Sequence, residues 1–465
     1  MRKKQEMNLL GDNCGVFGIV EETPCVNDIY RALDFLQHRG QQFCGIATFD
    51  ETRIRMITHY GTVGHTFTPH ELETFKGSMG IGHVSLKERQ PMMWQGAVGE
   101  IAVAFSGNVT NSKALLAEMK ERGAAFYHGL DIEIISKLIL QEKSVVTGIS
   151  MLAERVEGAY SILVLAEEGI YAARDVYGFR PLMLGEGPDV FMVSSESRAV
   201  QNLGFDRVRD VNPGEIVLIT KSGFETQKQL ESPRRAHCAF EWAYTASTDS
   251  KIDGLFVQEA RNNLGRCLAE RDIEEGGLQA DLVGPVPMSG IGHALGYHMR
   301  SGLPYQEVFL YNRYADRSYT QLTQEDRDQM AKKKLSVLEY AVSGKRIVLC
   351  DDSIVRGTQI RDKVRDLKDA GAREVHVRIA CPPLMYPCDF GISTRTYEEL
   401  LARTYLPSGT IATMDELKGL ETWVAKRIDA DSLRYNSIAA FVAALGISRE
   451  HLCLKCWDGN WPITL

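Results

Sequence analysis

Short apolar runs separated by glycine-rich turns dominate the first half of the chain. From Cys14 to about Gln227 these runs are rich in β-branched and aromatic residues, as in CGVFGIV, GIATF, EIAVAF, YSILVLA and EIVLIT. Helical periodicity is strong only over residues 29–37 and 132–141. Many strands with few helices predict stacked antiparallel sheets with helices on the outside.

The second half alternates strands with helices. Helical patterns cover residues 257–270, residues 293–300 and the segment GTQIRDKVRDLKDAGA, in which Ile360, Val364 and Leu367 share one face. Apolar strand patterns occur in DLVGPVP, KRIVLC and REVHVRIA. This order and spacing predict a parallel sheet with crossover helices. Between the halves, the polar and turn-rich residues 221–235 predict a linker.

The composition is that of an ordinary soluble protein with two or three domains. The chain has 465 residues, of which 44% are hydrophobic and 25% are charged. The chain has 53 Lys and Arg residues and 61 Asp and Glu residues, and its net charge of −8 argues against a general nucleic-acid or anionic-membrane partner. The N-terminus lacks the apolar core of a signal peptide, and the apolar run 438–445 is too short to span a bilayer. A cytoplasmic protein is predicted.

The segment IVLCDDSIVRGTQ, residues 347–359, is typical of a phosphate site. A buried strand ends at Asp351 and Asp352, turns through Gly357 and enters a helix at about Thr358. Backbone amides in such a turn bind anions, and the two acids are suited to vicinal hydroxyls or to Mg²⁺. Together they predict a ribose-5-phosphate pocket, the alternative being an acid pair that only caps the helix. No Walker-type motif accompanies the segment, which argues against an NTPase.

Cys14 is a candidate nucleophile at the start of CGVFGIV. An N-terminal cysteine can use its own α-amine as the base, and the ordinary pKa of that amine, about 7.7–8.0, suits proton transfer near neutral pH. This chemistry requires removal of residues 1–13, because an internal Cys14 has no free amine. Considered alone, a cysteine near two glycines is more often a structural residue.

The other cysteines pose a separate question. Ten cysteines in a chain of this length do not indicate a disulfide framework, which favours catalytic or metal-binding roles. Cys453 and Cys456 form a CxxC pair, and this spacing leaves a redox pair, half of a zinc site and chance all open. Four soft thiolates brought together bind Zn²⁺ or a 4Fe–4S cluster. Cys350 and Cys381 lie on predicted strands, as plain buried thiols do.

Both halves resemble one family, the amidophosphoribosyltransferases. Residues 347–359 are similar to the phosphoribosylpyrophosphate (PRPP) signature VxxDDSxxxGTT of type I phosphoribosyltransferases. CAFEWAYTASTDSKIDG, VPMSGIGHALGYHMRSGLPY, GAREVHVRIACPP and DADSLRYNS extend the resemblance through the second half. CGVFGIV, QHRGQQFCGIATFD, GAYSILVL, AARDVYGFRPLMLG and VSSESRA resemble the N-terminal-nucleophile glutaminase domain of the same enzymes.

The resemblance implies a fold and an activity. It implies a propeptide over residues 1–13 and an α+β N-terminal-nucleophile hydrolase sandwich, with antiparallel sheets stacked between helices, over residues 14–235. An α/β type I phosphoribosyltransferase domain with a parallel sheet, carrying C-terminal cluster ligands, would follow over residues 236–465. The implied enzyme converts PRPP, glutamine and water to 5-phosphoribosylamine, glutamate and pyrophosphate in the first step of de novo purine synthesis. A homotetramer inhibited by purine nucleotides, with no nucleic-acid or membrane partner, is expected.

The family motifs imply roles for individual residues of the first half. Cys14 is the implied nucleophile and Arg39 a positioning residue. Ser106 and Gly107, in FSGN, occupy the oxyanion motif, and Asp131 is the implied ligand of the glutamine α-amine.

The second half carries the implied PRPP, Mg²⁺ and cluster residues. The loop NRYADRSY, which begins at Asn312, matches the flexible cover that closes over PRPP in the family. The implied PRPP-binding residues are Asp351, Asp352, Ser353, Ile354, Val355, Arg356, Gly357 and Thr358. The implied Mg²⁺ ligands are Ser289, Asp351 and Asp352. The implied 4Fe–4S ligands are Cys238, Cys388, Cys453 and Cys456.

The glutaminase half departs from the family pattern at two motifs. Ser85, in GHVSLKERQPM, stands where the arginine for the substrate carboxylate is expected, and the following loop is shortened. Lys87 or Arg89 can substitute for it, although an ammonium does not reproduce a bidentate guanidinium contact. Ser106 replaces the asparagine donor of the oxyanion motif, and loss of one such donor costs about 10²–10³ in rate.

These departures keep two alternatives open. One is a diverged paralogue with an impaired glutaminase that uses free ammonia or another acceptor. Met288 in VPMSG, where the family has aspartate, adds to the reasons for it. The other is a non-catalytic PRPP-sensing module, against which the intact Cys14, Asp351 and Asp352 argue.

Overall fold

The computed structural model describes residues 14–312, 335–391, 394, 396–407 and 409–463. The predicted propeptide, residues 1–13, and all of the loop NRYADRSY after Asn312 lie outside these described residues. Within the described ranges, no helix combines the length and the apolar character needed to cross a membrane.

Two antiparallel sheets pack face to face in the first half. One has the strand order β11-β9-β10-β1-β4-β2-β3 and the other β13-β12-β8-β7-β6-β5. The strands are β1 (Gly15–Val20), β2 (Phe43–Phe49), β3 (Ile54–Tyr60), β4 (Met79–Ser85), β5 (Met92–Gly96), β6 (Gly99–Val109), β7 (Gly158–Ala166), β8 (Gly169–Arg174), β9 (Met183–Gly187), β10 (Val190–Ser194), β11 (Asp206–Asp210), β12 (Glu215–Thr220) and β13 (Gly223–Gln229).

Helices cover the outer faces of both sheets. They are α1 (Val26–Phe35), α2 (Val63–Thr66), α3 (Pro69–Glu73), α4 (Ser112–Glu121), α5 (Asp131–Leu140), α6 (Val145–Arg155) and α7 (Ser197–Asn202). Strand β1 is buried throughout because its alternate side chains face two different layers. Val16 and Val20 lie in the core between the sheets, whereas Phe17 and Ile19 pack with α1. The predicted stack of antiparallel sheets between helices is confirmed.

The second half is built on a parallel sheet with the order β17-β20-β21-β22. The strands of the whole second half are β14 (His237–Cys238), β15 (Lys251–Ile252), β16 (Leu255–Phe256), β17 (Leu282–Pro285), β18 (Phe309–Tyr311), β19 (Leu335–Val337), β20 (Arg346–Asp351), β21 (Glu374–Ile379), β22 (Ser432–Tyr435) and β23 (Leu452–Cys453). Its helices are α8 (Val257–Glu274), α9 (Ile291–Ser301), α10 (Glu339–Val342), α11 (Thr358–Asp369), α12 (Leu401–Tyr405), α13 (Met414–Arg427), α14 (Ile438–Leu445) and α15 (Lys455–Asp458). The three predicted core positions of α11, Ile360, Val364 and Leu367, are buried.

The predicted linker over residues 221–235 is wrong in part. Strand β13 pairs with β12 across six registered positions and forms an edge of the second sheet. Its sequence is polar because most of its side chains are exposed or half-buried, which hides the strand from a hydrophobic pattern. Phe224, itself half-buried, is the one large apolar residue of the strand, with its ring 5.3 Å from that of Phe191. The connection between the halves therefore begins only after Gln229.

The two halves pack against one another through a shared hydrophobic core. Tyr177 and Phe179 of the first half belong to the same hydrophobic cluster as Phe240 and Trp457 of the second. Phe179 stacks on Phe390 with a centroid distance of 4.5 Å and an interplanar angle of 12°. This packing sets how the sites of the two halves face one another.

Candidate active sites

Cys14 lies at the start of the central strand β1 and is 7% exposed. The next residue, Gly15, pairs with Val84 near the end of β4, so Cys14 is adjacent to Ser85. On the opposite sheet, the Ser106 hydroxyl of β6 donates to the Cys14 carbonyl oxygen over 2.8 Å. The candidate nucleophile is therefore held where three strands approach one another.

The two residues of the predicted oxyanion motif have different constraints. The hydroxyl of Ser106 is engaged with the backbone of Cys14, so Ser106 supports the nucleophile directly. Gly107 pairs with Tyr160 of β7, and a Cβ at this position would lie 1.8 Å from the Ala159 carbonyl oxygen. Only glycine fits this close approach of two strands.

Asp131 is the first residue of α5 and is buried. One of its carboxylate oxygens accepts a hydrogen bond from the backbone amide of Val109 over 3.0 Å, and the Ser112 hydroxyl donates to the same group. Burial raises the pKa of Asp131, and these two donors together with the ammonium of Lys87 oppose the rise. Since Val109 is the last residue of β6, one strand links the Cys14 contact to Asp131.

The loop after Ser85 brings an unpredicted carboxyl group into this site. Glu88 is 6% exposed, and its carboxylate accepts a hydrogen bond from the backbone amide of Ile132 in α5. Burial, and then the nearby charge of Asp131, raises the pKa of Glu88 to about 7, while Lys87 opposes the shift. A polar loop with alternating charges is usually solvated, so the sequence carries no signal for this burial.

Lys87 and Arg89 lie in different surroundings. Lys87 is half-buried and faces both acids, as its opposing effect on their pKa values shows. Arg89 is exposed, with its guanidinium 5.9 Å from the centroid of the Phe43 ring. Of the two predicted substitutes for the missing arginine, the structure therefore brings only Lys87 beside Asp131.

Arg39 is 1% exposed and joins the two halves of the chain. Its guanidinium donates to Glu196 of the first half and, over 2.7 Å, to Glu241 of the second. Glu241 also accepts a hydrogen bond from Arg180 over 2.8 Å, and Glu196 accepts one from the Ser250 hydroxyl over 2.7 Å. Among the described residues, the remaining terminal nitrogen of Arg39 has no hydrogen-bond partner. Sequence reasoning found Arg39 but missed its carboxylate partners, because charged residues give no sign of which ones are paired inside the fold.

The predicted phosphate site forms at the end of β20. Asp351 is the last residue of that strand, and the Ser289 hydroxyl donates to its carboxylate over 2.6 Å. The backbone amide of Asp352 donates to the same oxygen over 3.0 Å. Burial and the neighbouring Asp351 raise the pKa of Asp352 well above its ordinary value. The three predicted Mg²⁺ ligands are thus together, and the repulsion between two buried acids favours a cation beside them.

The following turn has the shape of an anion cradle. Gly357 precedes α11 in a left-handed conformation, with a φ of +78°, and a Cβ there would lie 2.6 Å from Leu401 Cδ2. Thr358 then opens the helix, so its first amides point out of the turn. Not every residue of the motif faces this cradle, since Ile354 is buried in the core of the second half.

The remaining members of the motif brace the turn. Ser353 donates its hydroxyl to the Asp352 carboxylate, and the Val355 carbonyl accepts a hydrogen bond from the Leu401 amide over 2.8 Å. Arg356 is exposed and donates to Glu399 over 2.7 Å. The backbone of the motif forms the cradle while most of its side chains hold it in place.

Four of the ten cysteines meet at the contact between the halves. Cys238 in β14 pairs in register with Cys453 in β23, and the Cys456 carbonyl accepts the Met385 amide three residues before Cys388. Burial raises the pKa of the Cys238 thiol to about 12, with Cys388 adding to the rise. Burial and the neighbouring thiols raise the pKa values of Cys453 and Cys456. The structure thus brings together all four cysteines that the resemblance implies.

The surroundings of the thiols fit an anionic inorganic group. The ammonium of Lys455 and the guanidinium of Arg180 both interact electrostatically with these cysteines. No disulfide occurs among the described residues, which include all ten cysteines. Over the same residues, no set of three or more His, Cys, Asp or Glu side chains is grouped tightly enough to hold a single metal ion. A set of four thiols suits Zn²⁺ or a 4Fe–4S cluster, and the cluster stays a prediction.

Comparison with known proteins extends over the whole chain. Residues 79–202 match a family model described as a glutamine amidotransferase domain. The chain is 38% identical over 469 aligned residues to the amidophosphoribosyltransferase of Methanothermobacter thermautotrophicus, which covers 98% of this chain and 95% of the relative. It is 34% identical to the Bacillus subtilis amidophosphoribosyltransferase over 98% of this chain and 95% of that protein.

Two solved structures share the complete architecture. The glutamine PRPP amidotransferase of B. subtilis, complexed with ADP and GMP, superposes with a TM-score of 0.87 at 34% identity and covers 97% of both chains. A structure described as the allosteric regulatory enzyme of purine biosynthesis has a TM-score of 0.87 at 35% identity, over 97% of this chain and 96% of the other. The resemblance inferred from the motifs is confirmed by these matches, and the chain belongs to the amidophosphoribosyltransferase family.

Proposed function

We propose that the protein is a glutamine-dependent amidotransferase that converts PRPP, glutamine and water to 5-phosphoribosylamine, glutamate and pyrophosphate, the first step of de novo purine synthesis. The observation that carries this proposal is the presence, in one chain, of the Cys14–Asp131 site and of the Asp351–Gly357 cradle. Neither site alone accounts for the whole reaction, since one releases ammonia and the other activates a ribose carbon.

In the first half-reaction, Cys14 attacks the side-chain amide of glutamine. Removal of residues 1–13 frees its α-amine, which takes the thiol proton and returns it to the leaving nitrogen. A γ-glutamyl thioester forms, ammonia leaves, and water then releases glutamate. Asp131 binds the α-ammonium of the substrate, Ser106 holds the backbone of Cys14, and the backbone N–H of Gly107 serves the oxyanion. Arg39 links the glutaminase half to the second half through its bond to Glu241.

In the second half-reaction, ammonia passes inside the protein to C1 of PRPP and displaces pyrophosphate. The Asp351–Asp352 pair binds the ribose hydroxyls, and the turn from Ser353 to Thr358 binds the 5-phosphate through its backbone amides. Breaking the C1–O bond builds positive charge on the ribose, so the protein acts mainly by positioning both reactants. Mg²⁺, when bound by Ser289, Asp351 and Asp352, would neutralise the departing pyrophosphate.

We further propose that Cys238, Cys388, Cys453 and Cys456 hold a 4Fe–4S cluster with a structural role. The four thiols, of which Cys388 and Cys453 are buried and the other two half-buried, the cations that interact with them and the aromatic packing of Phe390 support it. Anaerobically purified protein is expected to contain about four iron and four sulfide per chain. Cys453→Ser should remove most of the iron, whereas Cys267→Ser, a half-buried thiol on α8, should leave the iron content unchanged. Zinc in place of iron, or no metal in the wild-type protein, would refute the cluster.

The regulation of relatives and the family resemblance suggest further properties. The B. subtilis structure contains ADP and GMP, and the other solved relative is described as allosteric. We expect this protein to be inhibited by purine nucleotides and to form a cytoplasmic homotetramer. Light scattering of the purified protein, with and without purine nucleotides, measures the oligomer directly, and a monomer under both conditions would contradict this expectation.

The decisive experiment compares glutamine with ammonium as the nitrogen source for phosphoribosylamine formation from PRPP. Activity with both is expected, while Cys14→Ser should lose the glutamine reaction and keep the ammonium reaction. Asp351→Asn should lose both, because PRPP binding serves both nitrogen sources. Wild-type activity with ammonium alone would reveal an impaired glutaminase, and no product from either source would overturn the proposal. Mass spectrometry showing Met1 at the mature N-terminus would exclude the α-amine mechanism.

A further inference from the structure

The loop that follows Ser85 is fastened over the glutaminase site at three points. The Ser85 hydroxyl donates to the Glu88 carbonyl over 2.6 Å and accepts from the Glu88 amide over 3.2 Å, which closes a tight turn around Lys87. The Glu88 carboxylate accepts the backbone amide of Ile132 at the start of α5. The side-chain oxygen of Gln90 accepts the backbone amide of Phe105 over 2.8 Å. The loop therefore has a defined place between α5 and β6.

Glutamine has an ammonium and a carboxylate on the same carbon atom, so its recognition needs an anion and a cation side by side. Asp131 supplies the anion. Among the described cations of this region, Arg39 already bonds to Glu196 and Glu241, and Arg89 lies over the ring of Phe43.

Lys87 is the cation whose position suits contact with the α-carboxylate of glutamine. It follows the Ser85 turn, is half-buried, and interacts electrostatically with both Asp131 and Glu88. Glu88 holds the turn on α5, so the Lys87 stem starts beside the N-terminal end of that helix. An ammonium that interacts with Asp131 carries the charge needed to pair with a carboxylate on the same carbon as the amine.

We propose that Lys87 binds the α-carboxylate of glutamine, in place of a guanidinium at position 85, and that Glu88 is a positioning residue for the loop. This inference rests on the proposed glutaminase activity. A single ammonium makes a point contact with the carboxylate instead of a bidentate one. The pocket therefore recognises the amino-acid end of its substrate through Lys87 and Asp131.

The test compares glutamine with 4-aminobutanamide, the same molecule without its α-carboxylate, in wild-type protein and in Lys87→Met. In the wild type, kcat/KM should favour glutamine by about tenfold to a hundredfold, as expected for a charged hydrogen bond. Lys87→Met should raise KM for glutamine by a similar factor and abolish most of this preference. Lys87→Arg should restore it, and the matched variant Arg89→Met should behave as wild type.

The ammonium-dependent reaction separates the possible failures. This reaction takes place in the second half, so a folded Lys87→Met protein should retain it. A loss of glutamine affinity in that protein then arises in the glutaminase site and not from unfolding. An unchanged preference for glutamine in Lys87→Met, or an equal loss toward both amides, would overturn the role of Lys87 while leaving the proposed function intact. A wild-type protein that hydrolyses no glutamine would overturn the glutaminase and this inference together.

Discussion

Glu88 and Asp131 are two carboxyl groups buried side by side, with Lys87 facing both. The backbone amide of Ile132 and the side chain of Gln90 complete the surroundings of Glu88. The pKa of Glu88 is raised from 4.5 to about 7 by burial and by Asp131, so the folded protein holds this proton over a range where the unfolded chain has lost it. Between these two values, the contribution of Glu88 to stability falls as the pH rises.

Substitution of Glu88 by glutamine should remove this pH dependence. The amide keeps an oxygen that accepts the Ile132 amide but does not ionise. We expect the stability of Glu88→Gln relative to wild type to increase between pH 4.5 and about 7, by at most about 1.4 kcal/mol per pH unit, and then to stay constant. Thermal unfolding of both proteins across this range measures it. A stability difference that does not change with pH would show that Glu88 does not titrate there.

At the scale of single residues, the sequence predicted those reactive side chains that lie at the ends of recognisable strands and helices. Cys14, Asp131 and Asp351 occupy the strand and helix ends that the motifs predict. Glu88 and Glu241 were not predicted, because their burial depends on partners distant in the chain. A charged side chain looks the same in a sequence whether it is solvated or enclosed by arginines.

The turn between β20 and α11 is the element on which PRPP binding depends. Gly357 has a φ of +78° and abuts Leu401, so a methyl group there meets both backbone strain and a contact at 2.6 Å. Gly357→Ala should destabilise the protein by about 1–2 kcal/mol and raise KM for PRPP, since the cradle must open to admit the methyl group.

Gly302 provides the matched control for this prediction. It follows α9 with a φ of +75°, and a Cβ there meets no atom within 4 Å. Gly302→Ala therefore carries the backbone strain without the clash and lies at the opposite end of its helix from Ser289. Steady-state kinetics should show an unchanged KM for PRPP in Gly302→Ala. Equal KM values in both variants would mean that the Gly357 turn does not contact the phosphate.

Some elements with a clear apolar period were predicted from the sequence, and some that bury few residues were not. Helix α11 shows three buried residues on one face, whereas α4 buries only Leu115 and Met119 and was missed. Strand β13 was taken for a linker because an edge strand with a solvated face has few apolar positions. Hydrophobic patterns report burial, so elements that bury little remain invisible to them.

At the scale of the whole molecule, a chain of buried charges crosses the contact between the halves. Arg39 bonds to Glu241, Glu241 bonds to Arg180, and Arg180 donates to the Phe390 carbonyl over 3.0 Å, two residues from Cys388. Asn108, the last residue of the oxyanion motif FSGN, adds a 2.7 Å bond to the Asp389 carbonyl. The nucleophile's surroundings and the thiol cluster are thereby fixed to one another.

Glu241 lies at the centre of this chain of charges, since it bonds both to Arg39 and to Arg180. Glu241→Gln leaves both guanidinium groups buried with less compensating charge, which should cost about 3 kcal/mol of stability. The contact between the two halves should loosen at the same time. Ammonia formed at Cys14 would then escape, and more than one glutamate would form for each pyrophosphate.

The measurement combines thermal unfolding with the ratio of glutamate to pyrophosphate released. Wild-type protein should give a ratio near one, and Glu241→Gln a higher ratio with a lowered melting temperature. Glu270→Gln is the matched control, because Glu270 pairs with Arg300 over 3.0 Å on the surface, where such a pair contributes little. If Glu241→Gln lost stability but kept a ratio of one, the charge chain would be a structural staple only. If neither quantity changed, the two halves would be held together by their apolar contact alone.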